Sequence, residues 1–497
     1  MQYLLGVDVG TTGTKAILFR QDGQIIGQAY RGYPIHTPQV SFCEQDPQDW
    51  WNAVCETVKE VSDDPAIRQN IVAISMSTQG GTTVILEKND QVIRPAIVWN
   101  DKRCAEELAQ FAEDKPDLDV YRICGWRPSA AMPALQCRWL QKHEPENFAR
   151  IAKVLGVPDY LALRMTGKAA VDISNAGICR FADIEKAQYS QEILEYAGLT
   201  TDMLPPVLPS AAPVGKLTPE AAAAMDLPAD VLLVSGAHDQ YAVSLGAGAS
   251  KDGDILIGSG TSWVVTSLSA GPDFASGLPQ SVPAVPGMWG SLRSLSSGGI
   301  CLEWWRKNLT VDEDGSILSY DRINEEVSAR KAAEEGLFFF PFAGLCDDRV
   351  NFKKASFIGL DLSHDRFHMA RAVMEAVVFQ ILWMMEAFRA KPSEDGIILA
   401  GGASKSAVWS QMLADASGLP VRIPATADLA CVGAAVMAGV GCGLYDTAEE
   451  GYKNLAVADT VIRPDPEKTD KIKKLYLQYK TLAKSLNVIY NNKSVNN

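Results

Sequence analysis

Two aspartates and a set of glycine-bearing turns hold the residue types in this sequence that could do chemistry. Asp8 closes an apolar run at residues 3–7 and is followed by Gly10-Thr11-Thr12-Gly13-Thr14-Lys15 and a second apolar run at 16–19. That order predicts a tight β-hairpin. Gly10 and Gly13 permit positive φ and carry no side-chain bulk, so turn N–H groups and threonine hydroxyls can face one small anion, with phosphate the natural candidate. A carboxylate beside such an anion is repelled unless a divalent cation lies between them, which points to a magnesium nucleotide. An ordinary hairpin with an exposed Lys15 fits the same residues. The GxxxxGK[ST] loop that opens a helix in many nucleotide-binding proteins is absent here.

The second aspartate follows a buried strand at 231–235 that runs into Gly236-Ala237-His238-Asp239-Gln240, with a small-residue helix at 241–246. Taken alone, Asp239 fits a helix N-cap. Residues 254–267, DILIGSGTSWVVTS, then repeat the opening pattern of apolar strand, glycine turn and apolar strand. Gly260-Thr261-Ser262 answers Gly10-Thr11-Thr12 near the start of a second half of similar length, which implies duplication of one domain with a boundary near 246–251. Two facing hairpins can hold one polyphosphate between them, and a catalytic residue in the strand–helix turn before the boundary would sit beside that cleft. A third turn, Ala400-Gly401-Gly402-Ala403-Ser404, joins a buried strand at 397–399 to a helix at 406–417, where glycines let a flat or anionic ligand approach the backbone. The loop Ser77-Thr78-Gln79-Gly80-Gly81-Thr82 links strands at 71–75 and 83–86, a setting that often carries ligand contacts.

Other elements position these groups. A third strand is expected at 24–30, and Asp46-Pro47 starts a helix with Trp50, Trp51, Val54 and Val58 on one face. Helical periodicity dominates 101–164, polar residues return at 168–181, and the proline-rich 205–219 reads as an irregular connector. Ser297-Gly298-Gly299 precedes a helix with Trp304 and Trp305; a strand at 337–342 leads into a loop at 343–354. An amphipathic helix spans 470–486, and the Asn-rich end from 488 looks frayed. His364 and His368 lie i, i+4 with no acidic partner evident nearby, as at a surface helix end.

The formal charge of −14 argues against a nucleic-acid partner or an anionic membrane surface. Ten cysteines without metal-ligand spacing, and no leader read before Leu4, predict reduced thiols in a cytoplasmic protein. The apolar stretches 369–388 and 429–445 contain charges or glycines and read as buried helices rather than membrane spans.

As a set, GVDVGTTGTKA, EQDPQDWW, RPAIVWNDKR, DYLALRMTG, GAHDQ, IGSGTS and AGGASKSAVWSQMLADASGLPV resemble the FGGY family of carbohydrate kinases, in family order over essentially the whole chain. RPAIVWNDKRC and DYLALRMTG resemble its xylulose kinases in particular, and the SKSAVWSQMLADASGLPV segment also resembles its autoinducer kinases. The resemblance implies an α/β fold of two ribonuclease-H-like domains, of the actin-like ATPase superfamily, flanking a cleft: 1–246 holding sugar and the first phosphate hairpin, 247–497 holding nucleotide. It implies ATP and Mg²⁺, with Asp239 as catalytic base and Asp8 as the metal-associated acid. Thr11, Thr12 and Lys15 fall on the first phosphate hairpin, Gly260, Thr261 and Ser262 on the second, and Gly401, Gly402 and Ala403 on the adenosine turn.

Gln79, Gly80, Gly81, Asp239 and Gln240 are then the sugar-binding set. Glycerol kinases carry Gln-Arg-Glu-Thr-Thr and xylulose kinases Gln-Met-His-Gly where this chain has Gln79-Gly80-Gly81-Thr82-Thr83, and Gln136 and Asp347-Asp348-Arg349-Val350 also depart from the xylulose-kinase pattern. The two glycines predict a roomier pocket, disfavouring glycerol. The expected activity is phosphorylation of a primary hydroxyl on a pentulose, polyol, sugar acid or autoinducer-type substrate, with D-xylulose foremost. A non-catalytic sugar-binding regulator is the rival reading, and a homodimer is compatible with the chain.

Overall fold

The computed structural model describes residues 1–311, 315–342, 354–426 and 428–491. The segment at 347–350, the loop at 343–354 up to its last residue, and 492–497 of the Asn-rich end lie outside the described residues. The chain forms two compact units that are not contiguous in sequence. The first is built from Met1–Ser250, Ala270–Gly290 and Asp428–Val457, and the second from the remainder.

In the first unit the opening hairpin is β1 (Tyr3–Val9) and β2 (Gly13–Arg20), followed by β3 (Ile25–Gly32), β4 (Ile71–Thr78), β5 (Pro213–Lys216) and β6 (Leu232–His238). They form one sheet in the order β5-β6-β4-β1-β2-β3. β1, β4 and β6 run parallel and the outer pairs antiparallel. Alternation along β1 sends Leu5, Val7 and Val9 into one core with Trp50, Val54 and Val58, and Leu4 into another with Phe19, Val234, Leu245 and Val436. The first core is covered by the helix Pro47–Val61, where Asp46 accepts from the Gln48 N–H at 2.9 Å. The second is covered by the helices Asp239–Gly246 and Leu429–Gly441. A Cβ on Gly6 would lie 2.0 Å from the Cys431 carbonyl oxygen, and one on Gly433 2.0 Å from that of Ala242, so strand and helices touch backbone to backbone.

The second unit repeats the plan with β7 (Ile255–Ser259), β8 (Trp263–Ser269), β9 (Trp289–Leu295, of which residues from Ser291 belong here), β10 (Ile397–Gly401), β11 (Val421–Ile423) and β12 (Thr460–Ile462). The order is β9-β8-β7-β10-β11-β12, with β7, β10 and β11 parallel. Both sheets thus carry a hairpin beside two parallel strands and end in an antiparallel edge strand. The helix Arg366–Met385 is long and apolar enough to cross a membrane by length and composition, yet 67% of that window is buried inside the protein, as in a core helix. The described cysteines are free thiols.

Several local expectations are corrected. The proline-rich connector contains the short strand Val207–Leu208 and β5, which opens on Pro213 at the sheet edge, where a missing N–H is tolerated. The strand before Asp239 continues to His238. A four-residue 3₁₀ turn, Gly402–Lys405, separates the glycine pair from the helix Ala407–Ser417. The last helix, Pro466–Asn491, extends well into the end expected to fray. His364 and His368 do have acidic neighbours: Glu335 Oε2 is 3.2 Å from His368 Nε2, Asp361 Oδ1 is 3.4 Å from His364 Nδ1, and Asp365 caps the helix.

Candidate active site

Asp8 stands one residue before the end of β1, opposite Lys15 on β2 and in register with Ser77 on β4, which in turn is in register with Ala237 on β6. At a strand spacing of about 4.8 Å, Asp8 and the start of the helix after β6 are about 10 Å apart across the strand ends. The pairing register of β6 with β4 shifts between Val234 and Ala237, the kind of irregularity that re-aims side chains beside sites. Ser77 Oγ donates to Asp8 Oδ1 at 2.7 Å. Burial pushes the Asp8 carboxyl up to about 6; the Ser77 hydroxyl works against this, and the Asp239 carboxylate adds to the rise. A buried acid with two further carboxylates in its field, Asp239 and Asp428, calls for a cation.

Lys15 does not supply it freely, because its ammonium is ion-paired with Asp428 at the start of the helix Leu429–Gly441. The hairpin turn is anchored from outside: Tyr33 Oη donates to the Gly10 carbonyl at 2.6 Å, Gln45 Nε2 to that of Thr11 at 2.7 Å, and Trp99 Nε1 to Thr11 Oγ1 at 3.0 Å. Three tethers from separate segments fix a turn whose Thr12 is exposed and whose Thr11 is half-buried.

Asp239 is the first residue of the helix Asp239–Gly246, and no side-chain capping bond is made there. Its Oδ1 is buried without a hydrogen-bond partner. His238 Nε2 approaches it to 3.2 Å, a contact of ion-pair length that lacks hydrogen-bond alignment. The N-cap explanation therefore leaves this carboxylate unexplained. Gln240 follows half-buried. Gln79 lies just past β4, its N–H donating to the Val9 carbonyl at 3.0 Å and its Nε2 to Gln45 Oε1 at 3.2 Å, while its own Oε1 is buried and unpaired.

The roomier pocket expected at Gly80-Gly81 is not there at Gly80. A Cβ on Gly80 would lie 2.6 Å from Ile178 Cγ2, 2.7 Å from His238 Cδ2 and 3.2 Å from Asn175 Oδ1. The volume left by glycine is filled by side chains from two other segments. Gly81, at φ +74°, has only Trp99 Cβ nearby, at 3.5 Å.

In the second unit the tip Gly260-Thr261-Ser262 is exposed at the end of β7, as is Gly401-Gly402 at the end of β10. Ser259 Oγ joins them, accepting from the Ala403 N–H at 3.0 Å and donating to the Ala400 carbonyl. Gly401 has φ +92°, and a Cβ on it would meet the Ser259 carbonyl oxygen at 2.5 Å. The helix Gly299–Leu309 abuts the same tip through the Ile300 N–H donating to the Thr261 carbonyl at 3.1 Å.

The structure thus gathers Asp8, Thr11, Thr12, Lys15, Gln79, Gly80, Gly81, Asp239 and Gln240 in the first unit. It gathers Gly260, Thr261, Ser262, Gly401, Gly402 and Ala403 in the second. Sequence reasoning missed Ser77, Gln45, Trp99, Asn175, His238 and Asp428. Gln45, Trp99 and His238 lie inside the motifs EQDPQDWW, RPAIVWNDKR and GAHDQ, and Ser77 opens the loop singled out above, but nothing in those motifs marked these residues individually; Asn175 and Asp428 had no sequence signal beyond a polar stretch.

The sequence matches the N-terminal domain of the FGGY family of carbohydrate kinases over residues 3–246 and its C-terminal domain over residues 255–442. A xylulose kinase of Klebsiella pneumoniae is 31% identical over 93% of this chain and 94% of its own, and a gluconokinase of Bacillus subtilis 27% identical over 90% and 88%. The crystal structure of a xylulose kinase from Rhodospirillum rubrum superposes with a TM-score of 0.88 at 27% identity, covering 99% of this chain and all of the other. The fold is the two-domain, actin-like type of the sugar kinases, and the protein is a sugar phosphotransferase. The chain belongs to the FGGY family of carbohydrate kinases.

Proposed function

We propose that this protein transfers the γ-phosphoryl group of ATP to a primary hydroxyl of a small sugar, with D-xylulose the first substrate to test. The observation that carries this reading is the pair Asp8 and Asp239, one just before the end of a parallel strand and the other just past the end of another strand of the same sheet, with Asp8 buried and bonded to the Ser77 hydroxyl and Asp239 Oδ1 left without a partner. Asp239 would accept the hydroxyl proton as the oxygen bonds to phosphorus and the bond to the β-phosphate oxygen breaks, releasing ADP. Its side chain is 36% exposed, as a base that meets a diffusing substrate must be.

Asp8 fits Mg²⁺. It is a carboxyl whose burial and acidic neighbours are relieved by a cation, and Mg²⁺ is usually held by one or two carboxylates plus substrate phosphates rather than by a full protein cage. That agrees with the absence, among the described residues, of a cluster of three or more metal-ligating side chains. When bound, the ion neutralises charge on the phosphoryl oxygens. Thr11, Thr12 and Lys15, and Gly260-Thr261-Ser262, would hold phosphate, with Lys15 exchanging Asp428 for it. Gly401-Gly402-Ala403 would carry the adenosine, and Gln79, Gly80, Gly81 and Gln240 the sugar. We take 1–246 and 247–497 as the functional domains, and the cytoplasm as the site of action. A homodimer is tested by light scattering.

Support for xylulose comes from relatives named xylulose kinase in several bacteria; relatives named gluconokinase and L-xylulose/3-keto-L-gulonate kinase define the alternatives. ADP release measured with D-xylulose, L-xylulose, gluconate and glycerol should depend on a five- or six-carbon compound. Binding of sugar and nucleotide without ADP release would favour the regulator.

A further inference from the structure

The mechanism above leaves unused the polar stretch that begins at Val171. Asp172 and Asn175 are each 1% exposed. The Asp172 carboxylate accepts from Ser174 Oγ, from the Asn175 N–H at 3.0 Å and from Asn175 Nδ2 at 2.6 Å. That last bond fixes the amide, since the carboxylate will take only its nitrogen; the same Nδ2 lies 3.3 Å from Thr78 Oγ1. Asn175 Oδ1 is turned away, buried, and without a partner.

The network also places His238. Its N–H donates to Ser174 Oγ at 2.9 Å, and at Gly80 a Cβ would lie 2.7 Å from His238 Cδ2 and 3.2 Å from Asn175 Oδ1, so both side chains border the same glycine. His238 Nδ1 is buried and unpaired, as are Gln79 Oε1 and Asp239 Oδ1. Four orphaned polar atoms therefore stand on three segments: Gln79 just past β4, His238 and Asp239 at the end of β6, and Asn175 on the helix Ile173–Ile178, which borders Gly80 with His238. One buried polar atom left without a partner costs about 1–3 kcal/mol, so a group of them in one place is the complement of a ligand.

Three of the four are oxygens of carboxamide or carboxylate groups, which only accept, and the fourth, His238 Nδ1, is a ring nitrogen that accepts in one of the two neutral tautomers. Basic side chains on adjoining segments are engaged elsewhere: Lys15 with Asp428, Arg103 with Asp101 and Glu44, and Arg180 with the carbonyls of Arg127 and Ile178. A wall of acceptors binds hydroxyl donors and repels a carboxylate.

We propose that Asn175, its amide held by Asp172, and His238 form the part of the acceptor site that reads substrate hydroxyls, so that the substrate is an uncharged ketose or polyol and not a sugar acid. This rests on the phosphotransfer reading given above. The test is steady-state kinetics of the full chain with ATP and D-xylulose, L-xylulose, gluconate and the monodeoxy analogues of the better ketose, for the wild type, Asn175→Leu and His238→Phe. The wild type should favour a ketose over gluconate by at least about tenfold in kcat/KM and lose about tenfold or more on one deoxy analogue, the scale of one hydrogen bond to a buried group. Asn175→Leu should erase that discrimination, its loss on the parent sugar exceeding its loss on the analogue. A variant that slows parent and analogues by the same factor has only a structural role and overturns the assignment. So does a wild type that prefers gluconate, while leaving the kinase reading intact. If Asn175→Leu does not fold, His238→Phe and the wild-type ratio decide alone. A wild type that releases ADP with none of these sugars overturns both readings.

Discussion

At Asp8 the folded protein holds a carboxyl that binds its proton more tightly than the unfolded chain does, because burial and two neighbouring carboxylates disfavour the charge. The stabilising share of such a group is fully present below about pH 4 and is lost as pH rises through about 6. Above that, ionised Asp8 burdens the nucleotide-free fold by about 3 kcal/mol. Asp8→Asn keeps an oxygen for Ser77 and removes the charge. Without nucleotide or Mg²⁺ it should therefore melt above the wild type at pH 7.5, with the gap closing as pH falls from 6 towards 4, while turnover collapses. Equal melting temperatures at pH 7.5 would contradict the burden placed on Asp8. At Asp239 the expectation is kinetic: Asp239→Asn should hold sugar and ATP affinity within a few-fold while kcat falls by roughly 10² or more, the scale of a lost general base. Near-normal turnover would return Asp239 to a structural role.

The loop after β4 shows at the level of elements what a sequence can and cannot declare. Gly80 is visible as a glycine, but the atoms that require it, on Ile178, His238 and Asn175, come from a helix and a strand end far along the chain. Gly80→Ala should lower kcat/KM about tenfold or more by displacing His238 and Asn175. Gly81→Ala should cost mainly stability, about 1–2 kcal/mol, through its left-handed backbone. Kinetics and thermal melts of the two side by side decide it, and a fully active Gly80→Ala would remove the crowding from the account. The two hairpins, by contrast, were legible because alternation and a glycine turn are local signals. So were Asp8 and Asp239, each tied to a strand end. Tethers such as Gln45 to Thr11 and Asp428 to Lys15 were not, since they depend on which segments the topology brings together.

For the molecule as a whole, the consequential feature is that the first unit is completed by Asp428–Val457, a segment that follows most of the second unit in sequence. One face of the first sheet, with Leu4, Ile17, Phe19, Ala73 and Val234, is buried by Cys431, Val432, Ala435, Val436 and Met437 of the returning helix together with Tyr241 and Leu245. Removing that helix uncovers several large apolar side chains, each worth about 1.5–3 kcal/mol when buried. The sum rivals the roughly 5–15 kcal/mol that separates a folded domain from its unfolded chain. A fragment comprising residues 1–250 should therefore lack a cooperative thermal transition and expose enough apolar surface to bind a hydrophobic dye, although it contains every strand of the first sheet. Joining 428–457 to it through a flexible linker should restore cooperative melting, because Gly6, Gly246 and Gly433 leave room for the close backbone contacts that the helix makes. If 1–250 alone melts as sharply as the joined form, the returning helix is an accessory and the first unit folds on its N-terminal residues by themselves.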